Sequence, residues 1–157
     1  MTGDTRPGCR PPAARVRDTL ALLGREVDCW VATCDPATGA PHLVPLSFVW
    51  DGATLLLATT ERSVAGRGLA AGRVRTGLGA TRDVVMVDGR VAAVHTADLD
   101  RAEAERFARR TGFDPRASTG SYLFFRVSPS RVQAWREEDE LDGREIMRHG
   151  RWVVDEI

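Results

Sequence analysis

Residues 42–60, HLVPLSFVWDGATLLLATT, place the dipeptide Asp51-Gly52 between two apolar runs. Tight hairpin turns need a positive φ that glycine adopts freely, so Asp-Gly between apolar runs is the strongest short-range signal for a β-hairpin. Upstream, the β-prone run CWVATC is separated from this hairpin by DPATGAP, whose proline and glycine predict another turn. The sequence therefore predicts a three-stranded antiparallel meander over residues 29–59.

A helix and a polar arm precede the meander. Residues 1–12 are rich in Pro, Gly and Arg and predict a disordered N-terminal arm. With 157 residues the chain has the length of one domain, which we place at residues 13–157. Four apolar residues recur at i, i+4, i+7 and i+11 on one face of a helix that ends near residues 24–28: Val16, Leu20, Leu23 and Val27.

Short β-prone segments dominate the rest of the chain. In order, the predicted elements are a strand at 74–80, one long strand or a hairpin about Asp88-Gly89 at 83–95, a helix at 97–112 ended by Gly112, strands at 121–127 and 131–137 joined through Ser128-Pro129-Ser130, and a hairpin at 144–154 turning at His149-Gly150. Strands and helices do not alternate regularly, which argues against a parallel sheet. Six or seven short antiparallel strands with two or three helices predict a mainly β (α+β) fold closed into a barrel, because closure removes unpaired sheet edges.

Composition excludes several classes of function. The 22 basic residues balance 22 acidic ones, so no overall basic field points to nucleic acid. Every basic residue is arginine, which excludes a lysine Schiff base. No apolar run approaches the roughly 18 residues of a membrane span, and no signal-peptide pattern is present. The three cysteines include no CxxC pair, so we expect a cytoplasmic protein without a disulfide framework.

The stretch TTERSVAGRGLAAGRVR, residues 59–75, is the main candidate for a ligand site. Its glycines have the spacing G-x-G-x-x-x-G and no βαβ unit follows, which argues against a dinucleotide fingerprint. Groups that can hold a phosphate are two hydroxyls at a strand end, a hydroxyl placed to cap a short helix and two guanidiniums: Thr59, Thr60, Ser63, Arg62 and Arg67. On the residues alone, a capped surface helix with solvated arginines is an equal alternative.

Other chemistry finds little support in the sequence. His42, His95 and His149 lack metal-ligand spacing, and no serine or cysteine stands in a nucleophile pattern. We therefore predict no metal site and no catalytic acid, base or nucleophile. Trp135 follows the last long strand and is the candidate for contact with a ring-shaped cofactor, the alternative being a place in the core or at an interface.

Four segments together resemble the pyridoxamine phosphate oxidase-like split-barrel family, and most closely its actinobacterial branch that includes enzymes using the deazaflavin coenzyme F-420. They are GAPHLVPLSFVWDGATLLLATTERS, LAAGRVRTGLGA, VDGRVAAV and YLFFRVSPSRVQAWRE, and the likeness covers roughly residues 20–152. The resemblance implies a six-stranded antiparallel split β-barrel of Greek-key order. It also implies a homodimer with two cofactor sites in clefts between the subunits.

The resemblance further implies where a cofactor lies. The second strand, at Pro45, Leu46 and Ser47, lies beside the tricyclic ring in such proteins, and residues near the late tryptophan come from the other subunit. The phosphate is held by positions matching Thr59, Thr60, Ser63 and Arg67, to which we add Arg62 on its chemistry. The family commonly reads Ser-x-Lys followed by Arg-Asn-Leu, whereas this chain reads SVAGRGL, with Ala65 at the lysine position and Gly68 at the asparagine position.

Two functions follow from the resemblance. The first is a flavin- or deazaflavin-dependent oxidoreductase that transfers a hydride between FMN or coenzyme F-420 and a small conjugated or heteroaromatic substrate. The cofactor then carries the chemistry, and no catalytic side chain is required. The alternative is a non-catalytic split-barrel protein that binds a cofactor, haem or lipid. The missing lysine favours the alternative, whereas the retained Thr-Thr and Ser favour the enzyme.

Overall fold

The computed structural model describes residues 8–154, in which three helices and eight strands are assigned. In chain order they are α1 (Pro12–Arg25), β1 (Asp28–Cys34), β2 (Pro41–Trp50), β3 (Leu55–Thr60), α2 (Val64–Ala70), β4 (Arg73–Leu78), β5 (Val84–His95), α3 (Arg101–Thr111), β6 (Tyr122–Trp135), β7 (Glu145–Arg148) and β8 (Arg151–Trp152). Two single 3-10 turns lie at Pro115–Ala117 and Glu138–Glu140.

The first six strands form a closed antiparallel barrel. Their order is β3-β2-β1-β4-β5-β6, and β6 pairs with β3 to close the ring. The strand β4 lies beside β1 although it follows β3 in the chain, which is the 4-1-2-3 order of a Greek key. The hairpin β7–β8 continues the sheet from the carboxyl-terminal part of β6. The predicted mainly β fold, its six-stranded antiparallel barrel and the meander about Asp51-Gly52 are confirmed.

One long strand replaces the two strands predicted around Pro129. The strand β6 runs unbroken through residues 128–130, so the prediction of a break there is wrong. Its register against β5 shifts between Asp88 and Gly89, where β6 accommodates one extra residue as a bulge. A proline is tolerated at a bulge because its missing N–H is not needed for the ladder. The segment 83–95 likewise forms one long strand, the first of its two predicted alternatives.

The helices cover two kinds of surface on the barrel, its mouth and its outer face. The helix α2 contacts all six barrel strands and buries Leu69 completely, so it stops one mouth of the barrel. The helix α1 adds Val16 and Leu23 to the same core. By contrast, α3 lies on the outer face of β2, β3 and β6, where the Phe107 and Phe124 rings meet edge-on with centroids 5.3 Å apart.

The predicted N-terminal arm, residues 1–12, needs correction at its carboxyl end. Residues 1–7 lie outside the described residues, but Arg10 is fixed just before α1. Its guanidinium donates to both carboxylate oxygens of Glu140, at 2.9 and 2.8 Å. The Glu140 side chain is buried in the connector between β6 and β7. Because this ion pair ties the amino-terminal segment to that connector, residues 8–12 belong to the folded domain.

Replacing Glu140 by glutamine is expected to lower the free energy of unfolding by about 2 kcal/mol near neutral pH, because Arg10 loses a charged partner. The hydrogen bonds from Arg10 lower the pKa of Glu140 from 4.5 to about 2 in the folded chain. A lowered folded pKa means that the ionised carboxylate stabilises the fold above about pH 4.5 and loses that effect as the pH falls toward about 2. Urea unfolding of both proteins across this range measures the difference.

Glu137→Gln is the matched control, since Glu137 is an exposed carboxylate of the same connector that pairs with Arg82. An exposed ion pair contributes about 0–1 kcal/mol, so the control should change little at any pH. An effect of Glu140→Gln as small as that of the control, or one that stays constant down to about pH 2, would contradict the stabilising role of the pair.

Candidate functional site

The barrel is split along part of the boundary between β2 and β3. Their ladder contains three residue pairs and ends at Phe48↔Leu57. Beyond that pair, β2 stays paired with β1 as far as Pro41, and β3 stays paired with β6 as far as Thr60. The two strands therefore separate, and we call this opening the split. Five predicted cofactor-binding residues border it, three on β2 and two on β3: Pro45, Leu46, Ser47, Thr59 and Thr60.

The start of α2 lies at the split, directly after β3. The Ser63 hydroxyl accepts the Gly66 N–H at 2.9 Å and donates to the Thr60 carbonyl at 2.8 Å, which confirms Ser63 as the predicted helix cap. The Thr59 hydroxyl lies 3.4 Å from it. The Ser63 hydroxyl is thereby committed to the helix, whereas the Thr60 hydroxyl has no hydrogen-bond partner among residues 8–154.

Arg62 and Arg67 bring positive charge to the start of α2. The Arg67 guanidinium donates to the Arg62 carbonyl at 2.5 Å and lies 3.8 Å from the Asp35 carboxylate in the β1–β2 turn. Asp35 therefore offsets part of the Arg67 charge. The Arg62 guanidinium is exposed and has no charged partner within the described part of the chain.

Position 65 contributes no charge to this region. Ala65 is only 4% exposed and packs where α2 stops the barrel. Alanine carries no charge, and a side chain buried at this position does not reach a phosphate in solvent. The donor set at the split is therefore made of hydroxyls and two guanidiniums, which is suited to an anion but lacks the point charge of a lysine.

The glycines of α2 serve close packing. A Cβ atom at Gly66 would lie 2.1 Å from the Thr60 carbonyl oxygen, and one at Gly68 would lie 2.5 Å from the Thr33 hydroxyl oxygen. Only glycine lets the helix approach the ends of β3 and β1 this closely. The G-x-G spacing in this chain thus has a packing reason.

A second region lies on the outer face of the sheet. Pro45 is exposed there and pairs with Trp30 of β1, whose side chain is 54% exposed. Two cavities of about 460 and 320 Å³ flank Trp30 and share residues 77–80. The smaller cavity has a mainly apolar lining that includes Leu43 and Met86. Cavities of this size and lining are typical of sites for small molecules and cofactors.

Trp30 is the residue that sequence reasoning missed. The signal was present in the strand CWVATC, because alternation puts Cys29, Val31 and Thr33 on the buried face and Trp30 on the other. Trp30 and the exposed Leu43 line one cavity, and a contiguous exposed apolar patch of this kind is typical of a surface that contacts a ligand or another chain.

The predicted Trp135 lies apart from the split. It ends β6 opposite Val84, twelve residues after Leu123, which pairs with Thr59. Twelve residues of strand have a contour length of about 40 Å, which places Trp135 at the opposite end of β6 from the residue that pairs with Thr59. The Arg144 guanidinium lies 5.7 Å from the Trp135 ring centroid.

The other two predicted residues of β2 are already engaged within the chain. Leu46 packs against the main core, and the Ser47 hydroxyl donates to the Asp28 carboxylate at 2.6 Å. Pro45 is therefore the predicted β2 residue that is most available to a ligand.

The buried Cys29 thiol is unreactive, and the possible metal ligands among residues 8–154 lie apart from one another. Burial raises the pKa of the Cys29 thiol to about 12, so the thiol stays protonated and is a poor nucleophile. Among residues 8–154, no three His, Cys, Asp or Glu side chains converge in a way that holds a metal ion. In the same range, no helix is long and apolar enough to cross a membrane.

Comparison with known proteins agrees with the fold. A family model described as pyridoxamine 5'-phosphate oxidase matches residues 18–136. No curated protein sequence matches the chain significantly. A solved structure of an F420 reductase superposes with a TM-score of 0.58 at 23% identity, over 71% of this chain and 93% of the reductase chain.

Two further structures superpose similarly. General stress protein 26 from Bacillus anthracis str. Sterne gives a TM-score of 0.56 at 16% identity, over 78% of this chain and 94% of its own. A protein from Clostridium acetobutylicum, related to general stress protein 26 of B. subtilis and of the pyridoxinephosphate oxidase family, gives 0.61 at 15% identity, over 82% and 92%. At such identities the likeness supports the fold alone.

Gly66→Ala is expected to destabilise the protein by about 2 kcal/mol or more, because the new methyl group meets a backbone carbonyl that cannot move without shifting β3. Gly24→Ala is the matched control, since a Cβ there meets nothing within 4 Å. Alanine has the higher helix propensity, so the control should be neutral or up to about 1 kcal/mol more stable. Equal effects in urea unfolding would rule out close packing as the role of Gly66.

Proposed function

The chain belongs to the pyridoxamine 5'-phosphate oxidase family, and we propose that it is an oxidoreductase that binds FMN or the deazaflavin coenzyme F-420. Its substrate is a small conjugated or heteroaromatic molecule that exchanges a hydride with the cofactor. The observation that carries the proposal is the split, where β2 and β3 separate after three pairs and leave predicted cofactor residues on both margins.

The residues at the start of α2 fit the phosphate of either cofactor. Thr59 and Thr60 offer hydroxyls, and Arg62 and Arg67 offer guanidiniums whose paired N–H groups match phosphate oxygens. Ser63 holds the first turn of α2 in place through its cap. Asp35 reduces the net positive charge, since its carboxylate lies 3.8 Å from Arg67.

The outer face beside Pro45 fits the ring of the cofactor. Trp30 and Leu43 supply an apolar surface next to a cavity of about 320 Å³. When bound, such a cofactor supplies the hydride chemistry itself. The side chains of this face orient the planar ring and exclude water from it. No acid, base or nucleophile of the protein is needed for a hydride to pass between stacked rings.

We further propose that the protein is a homodimer that meets through this outer face. Trp30 and Leu43 are 54% and 60% exposed, the two most exposed large apolar residues among those described. Within one chain Trp135 lies far along β6 from Thr59, so a contact between Trp135 and the phosphate residues requires a second chain. A second copy against the face covers the apolar residues and brings its own Trp135 toward the cofactor.

A cofactor-binding protein without catalytic activity is the second candidate. The observation that favours it is the donor set itself, in which Ala65 is buried and Arg67 is partly neutralised by Asp35. A weakly anchored cofactor can be carried and released without turnover.

Cofactor titration separates these functions. The purified protein is titrated with FMN, followed by flavin fluorescence, and with coenzyme F-420, followed by its own fluorescence. Reduction of candidate nitroaromatic and quinone substrates is then measured with the cofactor that binds. Binding with turnover supports the oxidoreductase, and binding without turnover across the substrates supports the carrier. If neither cofactor binds, both forms of the proposal fail.

Arg67→Ala is expected to weaken cofactor binding at least tenfold, about 1.4 kcal/mol, because a charge-assisted contact is lost and Asp35 is left uncompensated. Asp35→Asn is expected to act in the opposite direction, because it frees Arg67 while its side-chain oxygen still accepts the Ala37 N–H of the turn. Fluorescence titration measures both dissociation constants.

Arg101→Ala is the control for these titrations, since Arg101 is 88% exposed on α3 and pairs only with Glu105 among the described residues. Its dissociation constant should equal that of the wild type. Unchanged affinity in both the Arg67 and the Asp35 variants would remove the start of α2 from the cofactor site.

Leu43→Glu is expected to convert the dimer to a monomer of 17.2 kDa, because a carboxylate buried without a partner in an apolar contact is strongly unfavourable. Leu141→Glu is the control, since Leu141 is 39% exposed in the connector after β6, away from this face. Light scattering coupled to gel filtration gives both masses. A wild-type protein that is already monomeric at micromolar concentration disproves the proposed interface.

A further inference from the structure

Two arginines face each other across β4 and β5 with nothing to balance them. Arg73 and Arg90 are paired in register on these neighbouring antiparallel strands, and both side chains are exposed. Like charges at directly opposite positions are destabilising. Neither guanidinium has a carboxylate or hydrogen-bond partner among residues 8–154. We propose that Arg73 and Arg90 form a clamp that binds the phosphate group of a phosphate monoester.

The surroundings of the pair form a cleft. A cavity of about 560 Å³ lies over the strands at this point, and its lining includes both arginines together with the exposed Cys34 and with Ser130, whose hydroxyl donates to the Asp88 carbonyl at 3.2 Å. A free pair of arginines on a flat surface would be solvated from all sides. A concave setting instead concentrates the positive field on a bound anion.

The nearest carboxylate is already occupied. Asp88 lies in the same cleft, but Arg75 binds both of its oxygens, at 2.6 and 3.0 Å, and Arg131 lies 3.8 Å away on the other side. These contacts hold Asp88 away from Arg73 and Arg90. Three guanidiniums and one carboxylate thus line the cleft, which leaves the charge of the clamp uncompensated.

The geometry favours phosphate over a single carboxylate. Side chains at directly opposite positions have Cβ atoms about 4.5–5.5 Å apart, so both guanidiniums can reach one group between them. One guanidinium fork already satisfies the two oxygens of a carboxylate, whereas a phosphate monoester has three terminal oxygens that two forks can share. The clamp is therefore matched to a phosphate.

Two sources of this phosphate fit the position of the clamp. Gly77, which pairs with Trp30, lies on β4 four residues from Arg73, or about 13 Å along the strand. The phosphate can belong to a cofactor whose ring lies at Trp30, in which case the clamp replaces the cation that Ala65 does not provide. It can equally belong to the substrate. Only this choice of source rests on the proposed function; the clamp itself does not.

Isothermal titration of the apo protein with inorganic phosphate at low ionic strength tests the clamp. The wild type is expected to bind one phosphate at the clamp in addition to any bound at the split, and the double variant Arg73→Gln/Arg90→Gln is expected to lose that equivalent, its affinity at the clamp falling at least tenfold. Arg17→Gln/Arg101→Gln is the matched control, since it removes the same charge from two exposed positions on α1 and α3. Its phosphate affinity should equal that of the wild type.

Urea unfolding checks that weaker phosphate binding by the clamp variant is not caused by loss of folded protein. Removing two like charges that face each other should leave the urea midpoint of the clamp variant unchanged or raise it. Equal phosphate affinity in the wild type and the clamp variant, or no saturable binding by the wild type, overturns the proposal.

A second titration identifies the source. Phosphate is added to protein saturated with FMN, and in parallel to protein saturated with riboflavin, which lacks the phosphate. Loss, with FMN but not with riboflavin, of the phosphate equivalent that the clamp variant lacks supports a clamp for the cofactor phosphate. Retention of binding with both supports a clamp for the substrate phosphate. If neither flavin binds, the FMN form of the proposed function fails, while the titration of the apo protein still decides the clamp.

Discussion

The close approach of α2 to the barrel is the constraint on which the rest of the site depends. Gly66 and Gly68 let the helix backbone lie against the ends of β3 and β1, where any side chain would collide. With the helix in the barrel mouth, β2 and β3 stop pairing at Phe48↔Leu57 and follow different neighbours. The helix that closes the core therefore begins where the sheet opens, beside the residues proposed to bind a cofactor.

Local signals predicted most of the fold. Asp51-Gly52 predicted its hairpin because a short turn depends on neighbouring residues alone: β2 ends at Trp50, Gly52 has a positive φ, and β3 begins at Leu55. The break predicted at Pro129 was wrong because a bulge against Gly89 of β5 removes the need for the proline N–H, and that pairing is not local. The Ser63 cap was predictable, whereas the Asp35–Arg67 contact was not, since it joins the β1–β2 turn to α2, and these meet only in the folded barrel.

Arginine serves two opposite purposes in a chain without lysine. Arg10 stabilises the fold, because its guanidinium forms ion pairs with the buried Glu140 carboxylate and with the Asp18 carboxylate. Arg73 and Arg90 are left without such partners although Asp88 is close by, because Arg75 and Arg131 hold that carboxylate. Composition counts all of these residues alike and gives a neutral protein. Only the pairing shows which positive charges are available to a ligand.

The alanine at position 65 affects both the packing of α2 and the groups available to bind an anion. A long charged side chain there would have to leave the mouth that α2 closes, and the buried alanine instead completes the packing of the helix. Binding energy for a phosphate must then come from groups elsewhere. The hydroxyls and arginines at the split provide one set, weakened by Asp35, and the unbalanced pair on β4 and β5 provides a second on the outer face. Because the alanine at position 65 supplies no cation, the guanidiniums at the split and on the outer sheet are the groups left to balance the charge of an anionic ligand.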